Sequence, residues 1–392
     1  MRRLNAMVSP LLLDAIHELI ERDGLSQKRL AQAVAELSWV FTKERSQLNR
    51  TYLDDPLLGI AYLQYFLPVN LTKVQVLLDE MPMFEAGKRI SILDLGSGPG
   101  TGALAALDWW HQQQVPQALS VTAVDGSTRT LRRARQMWDW YCQAAGAREV
   151  DLRTCEGDLE QRAWSEQVGQ NGPFDLIILA NCLNEIGVDA KDSIGRRTEL
   201  VTEALSLLAS HGTMMILEPA LRETSRALHL VRDQLLQERR CTVYSPCLHE
   251  QNCPALVKPD DWCHEERAWE PPSIIREIDG QVGLIKDALK FSYLLLRKDG
   301  KTIAERRPDI YRVVSELREL KGEKRAWLCN EQGRQEVGRQ DRLASSRNEA
   351  FDQWHRGAIV QIEKIVHKER GAKVSALGRI DRDAAVQIVR SV

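Results

Sequence analysis

Long hydrophobic runs are missing from this sequence. The most apolar stretches, such as Leu176-Ile177-Ile178-Leu179-Ala180, fall far short of the roughly 20 residues that carry a helix across a bilayer, so no membrane contact is expected. A secretory signal is missing as well. Met1-Arg2-Arg3-Leu4 leads into Pro10-Leu11-Leu12-Leu13-Asp14-Ala15-Ile16, where polar and acidic residues break the apolar run, with Glu18 and Glu21 close behind; an amphipathic helix is expected there. Without a signal, the eight cysteines point to a reducing, cytoplasmic setting, in which clustered thiols serve more often as ligands than as disulfides. Internal repeats, low-complexity tracts and Cys-x-x-Cys knuckles are also lacking.

A strong excess of either charge is absent too: the net charge is −2, with hydrophobic content at 43% and charged content at 28%, as in an ordinary globular protein. The balance is uneven along the chain. From His264 onward there are 26 Lys and Arg against 21 Asp and Glu, leaving 27 against 34 upstream. The C-terminal part is therefore the better contact for a polyanion such as RNA, although an ordinary solvated surface has the same balance. No feature points to DNA. At 392 residues, two or three folding units are expected.

Apolar recurrence at three- and four-residue spacing, as in Leu30, Val34, Leu37, Val40 and Phe41, marks residues 1–88 as a helical N-terminal domain, broken at Pro56, Pro68 and Pro82. A short β-run from Arg89 to Leu95 follows, then a glycine loop, then a helix through Leu104, Leu107 and Trp110. Further strands are expected at Leu119 to Val124, Val150 to Cys155, Phe174 to Leu179 and Gly212 to Glu218, alternating with helices and ending in a long helix from Leu221 to Arg240. This alternation predicts an α/β fold, a Rossmann-like core over 89–240 with a parallel sheet. Residues 241–300 form a segment rich in Cys, Pro, Trp and His, expected where a metal does the work of a core, and include a last core strand at Phe291 to Arg297. A small β-rich, barrel-like module is expected over 301–370, with strands at Tyr311 to Val314, Ala326 to Cys329 and Ala358 to Ile362 and a hairpin turn at Asn330-Glu331-Gln332-Gly333. Residues 371–392 read as a tail.

The loop Asp94-Leu95-Gly96-Ser97-Gly98-Pro99-Gly100 ends a strand and opens a helix, so backbone N–H groups can approach a ligand without side chains in the way. Asp125, with Gly126 beside it, ends the next strand where an acid accepts hydrogen bonds from ribose hydroxyls. Asp158 and Leu159 follow the third strand, where an acid can meet an adenine amino group. A dinucleotide site wants Gly-x-Gly-x-x-Gly; here the glycines fall at 96, 98 and 100. The Asp-x-Gly-x-Gly-x-Gly form, with acids at Asp94, Asp125 and Asp158, resembles motif I of the class I S-adenosylmethionine-dependent methyltransferases. After the fourth strand, amino-methylating members of that class carry Asn/Asp-Pro-Pro-Tyr/Phe; this chain has Asn181-Cys182-Leu183-Asn184-Glu185. Asn181 is a further cofactor-binding candidate, and Cys182 reads as a packing residue. No catalytic residue is assigned, and binding is better supported than turnover.

Four cysteines follow that core, in Ser245-Pro246-Cys247-Leu248-His249, Asn252-Cys253-Pro254, Trp262-Cys263-His264 and Leu328-Cys329-Asn330. Their density calls for a soft or borderline metal. Zinc, with help from His249 or His264, and a 4Fe-4S cluster both fit; Cys142, Cys155, Cys182 and Cys241 read as packing residues. A motif-I core followed by Ser-Pro-Cys-x-His-x-x-x-Cys-Pro, then Trp-Cys-His, then a lone cysteine in a β-rich region resembles the methyltransferase-like assembly factors of the mitochondrial small ribosomal subunit and their bacterial relatives, over roughly Leu58 to Ile362. The resemblance implies a 4Fe-4S cluster on Cys247, Cys253, Cys263 and Cys329, association with the small ribosomal subunit or its rRNA, and an S-adenosylmethionine pocket whose catalytic use is in question in some members. For a eukaryotic source it implies the mitochondrial matrix. Two other readings remain: a non-catalytic rRNA-binding factor that uses the pocket structurally, and a zinc-containing methyltransferase for a protein or small molecule. The spacing does not fit the Cys-x-x-x-Cys-x-x-Cys loop of radical enzymes.

Overall fold

The N-terminal helices are set by local signals. In the computed structural model, which describes residues 8–21, 26–44, 52–85, 87–370 and 373–391, α1 (Pro10–Glu21) starts at a proline whose missing N–H costs nothing in a first turn. It buries Leu12, Ala15 and Ile16, one helical face. The expected start at Met1-Arg2-Arg3-Leu4 lies outside the described residues. α2 (Gln27–Thr42) buries Leu30, Ala33, Val34 and Leu37. α3 (Pro56–Ala61) is capped by Asp55, whose carboxylate accepts from the N–H groups of Leu57 and Leu58 at 2.9 Å each. A wider π-turn over Tyr62–Phe66 joins α3 to α4 (Leu67–Glu80), a helix buried on nearly every side.

The first sheet follows: β1 (Ile90–Leu95), α5 (Thr101–Gln112), β2 (Leu119–Asp125), α6 (Thr128–Ala145), β3 (Val150–Glu156), α7 (Ala163–Gly169), β4 (Phe174–Ala180), α8 (Ser193–Ser206), β5 (Leu208–Pro219), α9 (Arg222–Gln237), β6 (Thr242–Ser245), β7 (Glu265–Ala268), α10 (Ser273–Val282) and β8 (Ala288–Arg297). Its strand order is β3-β2-β1-β4-β5-β8-β6, with β7 also paired to β8. β1 to β5 are mutually parallel, and their near-continuous apolar runs suit strands covered on both faces. The order reverses between β1 and β4, the switch point at which such sheets open a crevice beyond their carboxyl ends.

A second sheet is built from β9 (Ile310–Val313), β10 (Arg318–Leu320), β11 (Glu323–Asn330), β12 (Gly333–Gln340), β13 (Ile359–Ile362), β14 (Val366–Arg370), β15 (Lys373–Arg379) and β16 (Val386–Arg390). The turn at 330–333 joins β11 and β12 in antiparallel register, with Asn330 opposite Gly333. Tyr311, Val313, Ala326, Leu328, Val337, Phe351 and Trp354 are among the residues of its separate core. No helix among the described residues is long and apolar enough to cross a membrane.

Four expectations need correction. Residues 1–88 do not make a domain apart: α1, α2 and α4 share one apolar core with β1, α5 and α6. Asp108 of α5 anchors this docking, accepting from Ser9 N at 3.0 Å, Gln75 Nε2 at 2.7 Å and Tyr141 OH at 2.9 Å. The sheet is mixed, because β6, β7 and β8 are antiparallel additions, and they place the segment 241–300 within it. The β-rich module is not closed into a barrel among the described strands: its order runs β14-β15-β12-β11-β9-β13-β16, with different strands at its two edges. The expected tail, 371–392, belongs to that sheet, since β15 pairs with β12 and β16 with β13.

Candidate functional site

The glycine loop leaves β1 at Leu95 and enters α5 at Thr101. Gly96 holds φ +64°, and a Cβ there would stand 2.5 Å from the Cys182 Cβ and 2.7 Å from its Sγ, so only glycine fits. Asp94 lies behind the loop, fully buried, accepting from Ser97 Oγ at 2.6 Å and from Ala103 N at 2.9 Å. Burial pushes its carboxyl up to about 6 against the pull of those two bonds. Asp94 and Gly100 thus shape the loop from behind and do not line the cleft. Asp125 does line it: one carboxylate oxygen accepts from Gly98 N at 2.8 Å, the other from Ser127 N at 2.9 Å and Thr130 Oγ1 at 3.1 Å. Burial raises this acid too.

The cleft over the carboxyl ends of β1, β2, β3, β4 and β5 holds about 680 Å³, within the range of small-molecule sites. Gly96, Ser97, Gly98, Pro99, Asp125, Gly126, Asp158, Leu159 and Asn181 all face it, so nine of the eleven sequence candidates are brought together. Asp158 is partly engaged in its own turn, accepting from Glu160 N and Gln161 Nε2 at 2.9 and 3.1 Å. Asn181 takes φ +62°, and its buried Nδ2 has no protein partner. Cys182 is a packing thiol as expected: its Sγ donates to Leu95 O at 3.2 Å, and burial lifts it well above the usual thiol range.

Sequence reasoning missed the opposite wall. Phe41 of α2, Tyr52, Tyr62 and Phe66 at the π-turn, and Asn70 and Lys73 of α4 close the cleft from the helical side, with Lys286 and Lys290 near β8. Phe41 meets Tyr52 and Phe66 edge-on, with centroids at 5.5 and 5.1 Å. Their only sequence signal is helical periodicity, which says that a face is covered but not by what.

A second site lies between the sheets. Cys247, Cys253 and Cys263, from the connection between β6 and β7, and Cys329, from β11, line one narrow cavity of about 30 Å³ together with His229, His249, Arg312 and Arg334. Cys142, Cys155, Cys182 and Cys241 pack instead against the two cores of the first sheet. Arg232 of α9, fully buried, pairs with Asp233 and donates to the carbonyls of His249 at 2.6 Å and Gln251 at 2.8 Å; Asp233 in turn accepts from Cys253 N at 2.9 Å. Arg226 donates to the carbonyls of Ala255, Lys258 and Asp261, and His229 Nε2 lies 3.1 Å from the carbonyl oxygen of Cys263. The loop carrying three thiols is therefore held by backbone contacts to one helix. Burial, then the neighbouring thiols, push Cys329 well above its usual range, while at Cys247 Arg232 opposes burial without overcoming it. Burial and then Arg232 push His249 down to about 4. Among the described residues, no three His, Cys, Asp or Glu side chains close on a point as ligands of a single ion would.

The sequence model of the family described as mitochondrial small ribosomal subunit Rsm22 matches residues 57–341, which takes in the glycine loop and the four clustered cysteines but not Phe41 and Tyr52 of the cleft wall. No curated protein matches the chain. Among solved structures, an O-methyltransferase family protein from Burkholderia thailandensis is similar at 17% identity and TM-score 0.35, over 67% of this chain and 64% of that one. The CurJ carbon methyltransferase is similar at 16% identity and TM-score 0.35, over 72% and 70%. This chain thus spans less than two thirds of the length of the Burkholderia protein.

Proposed function

The chain belongs to the mitochondrial small ribosomal subunit Rsm22 family, and from that premise we propose that it is an S-adenosylmethionine-binding, methyltransferase-like protein that carries a 4Fe-4S cluster and acts on or with small-subunit rRNA in ribosome assembly or translation. The observation that carries this reading is the convergence of Cys247, Cys253, Cys263 and Cys329 on one cavity, from chain segments on two different sheets. Four thiols, Cys253 buried and the other three partly so, backed by the buried Arg232 and the half-buried Arg334, suit an anionic cluster, whose negative charge these guanidinium groups would offset. Bound there, a cluster would fasten the second sheet to the first.

In the cleft, S-adenosylmethionine would supply an electrophilic methyl group. Asp125, already oriented by Gly98, Ser127 and Thr130, offers acceptor oxygens to ribose hydroxyls, and Asp158 and Leu159 stand where the base would lie. Asn181 would offer its unpartnered amide to the bound cofactor. Where amino-methylating enzymes position an amine, this chain has the half-buried Cys182 bonded to the Leu95 carbonyl, which favours a non-catalytic rRNA-binding factor as the second reading. One zinc ion is the alternative metal by the type of the side chains there, four thiols with His229 and His249, and not by their present spacing about a point. The mitochondrial matrix, or the cytoplasm of a bacterium, is the compartment that fits.

Anaerobic purification with iron, sulfide and zinc analysis tests the reading, followed by titration of S-adenosylmethionine. Cys253→Ser and Cys329→Ser should each abolish visible absorbance. Full iron and normal colour in both variants would sink the cluster, and equimolar zinc without iron would replace it. Binding of S-adenosylmethionine without methyl transfer to any ribosomal fraction would select the non-catalytic reading.

A further inference from the structure

The cleft has two chemically different ends. Asp125 and Asp158 make the end over β2 and β3 acidic, as a nucleoside's hydroxyl and amino groups require. Toward β5 and β8 the cleft gains cations: Lys73 from α4 enters the same space as Lys286 and Lys290, beside the rings of Tyr62 and Phe66, with Glu185 also on the lining.

Lys290 is answered by Glu266 at 3.1 Å. The other two lysines have no carboxylate within ion-pair distance among the described residues. Lys73 is only 9% exposed, and its Nζ donates to Asn70 Oδ1 at 3.2 Å, while Asn70 Nδ2 donates to Tyr62 OH at 3.2 Å. That chain of bonds fixes where the ammonium stands but brings it no negative charge. Lys286 Nζ lies 5.9 Å from the Tyr65 ring centre. The nearby Asp279 is engaged elsewhere, accepting from Tyr65 OH and from the backbone N–H of Lys286.

A buried lysine usually has either an acid or a route for its head into water. Lys73 has a ligand cleft instead. Burial, then the like charge of Lys286, push it down to about 7. Burial lowers Lys286 as well, against the opposing charge of Asp279.

We propose that Lys73 and Lys286 form an anion-binding subsite at the β5–β8 end of the cleft, which takes a carboxylate or phosphate group of a bound ligand. The inference rests on the reading of the cleft as a nucleoside-cofactor site and adds the chemical class of what lies beyond the nucleoside. The anion has two possible sources: the amino-acid carboxylate of the cofactor itself, or an acidic group on the methyl acceptor.

Calorimetric titration of the full-length, anaerobically purified protein separates them. The probes are S-adenosylhomocysteine, 5′-methylthioadenosine, which keeps the nucleoside but has no carboxylate, and inorganic pyrophosphate added with S-adenosylhomocysteine already bound. Lys73→Met and Lys286→Met should bind methylthioadenosine as the wild type does and lose at least tenfold in affinity for one of the anionic probes. Loss confined to S-adenosylhomocysteine assigns the subsite to the cofactor's carboxylate; loss confined to pyrophosphate assigns it to a second ligand. Unchanged affinity for both anions in both variants overturns the proposal, as does a wild type that binds neither. If Lys73→Met does not fold, Lys286→Met and the charge-keeping Lys73→Arg, which should retain anion binding, carry the test. Failure of the wild type to bind any nucleoside would refute the cofactor reading alone, since pyrophosphate titrated on its own still reports the subsite.

Discussion

Glu80→Gln is a sharp test of how the two sheets are held to the helical layer. Glu80 ends α4, Glu265 and Arg267 lie on β7, and Arg312 lies on β9; all four side chains are at most 4% exposed. Arg267 stands 3.1 Å from Glu80 and 3.1 Å from Glu265, and Arg312 stands 2.9 Å from Glu265 and 3.7 Å from Glu80. Ser245 and Tyr293 also donate to the Glu80 carboxylate. Two acids and two guanidinium groups balance, so an isosteric amide at residue 80 leaves one positive charge buried and unanswered. Breaking a buried pair in this way costs about 3–5 kcal/mol. Glu85→Gln, which breaks the exposed pair with Lys88, should cost far less, because water screens that pair. Urea denaturation followed by tryptophan fluorescence measures both. Burial alone would raise Glu80, but Arg312 and Arg267, with the two hydroxyl donors, outweigh it and hold the carboxyl below its ordinary 4.5. A depressed acid stabilises the fold above its unfolded value and loses that contribution as pH falls through the folded one, so the gap between wild type and Glu80→Gln should narrow below pH 4.5. A loss no larger than that of Glu85→Gln, or a gap that widens in acid, would refute the reasoning.

Two further outcomes follow from particular contacts. Gly96→Ala places a methyl group against Cys182 at a left-handed backbone position, and should abolish calorimetric binding of S-adenosylmethionine while leaving the far-ultraviolet circular dichroism of the second sheet in place. Lys73 titrates near 7 in the folded protein and near 10.5 when unfolded, so the unfolded chain holds the extra proton between those values and stability should rise with pH across that window. Lys73→Met should flatten the rise, measured as urea midpoints at several pH values between 7 and 10.5.

The part of the fold that the sequence discloses is the part that rests on short-range rules. Asp94 to Gly100 combine a strand end, glycines at left-handed positions and a helix start within a few residues, and Asn330-Glu331-Gln332-Gly333 makes a hairpin turn in which Asn330 Oδ1 accepts from the Gln332 N–H. The thiols at 247, 253, 263 and 329 were legible by residue type, although nothing local says that β11 would carry Cys329 to the other three. What stayed hidden depends on long-range packing. Leu12, Val34 and Leu37 announce a buried face but not that it lies on the sheet's own helices. β6 and β7 have four residues each, too short for alternation to register, and β15 and β16 lie in a stretch that reads as a tail, although Val386 of β16 and Ile380, just past β15, are buried in the second core. Asp94 and Gly100 carry the motif's most visible residue types, yet their work is to brace the loop from behind.

The position of Cys329 has a consequence for how the protein is made. A nascent chain that has produced the whole first sheet owns Cys247, Cys253 and Cys263, held on a loop tied to α9, with one side of their cavity open. The fourth thiol arrives only when β11 has been synthesised and the second sheet has closed over the first. A chain stopped before β11 would leave the three thiols on an unclosed cavity, whereas in the finished chain Cys329 and the second sheet cover that side of it.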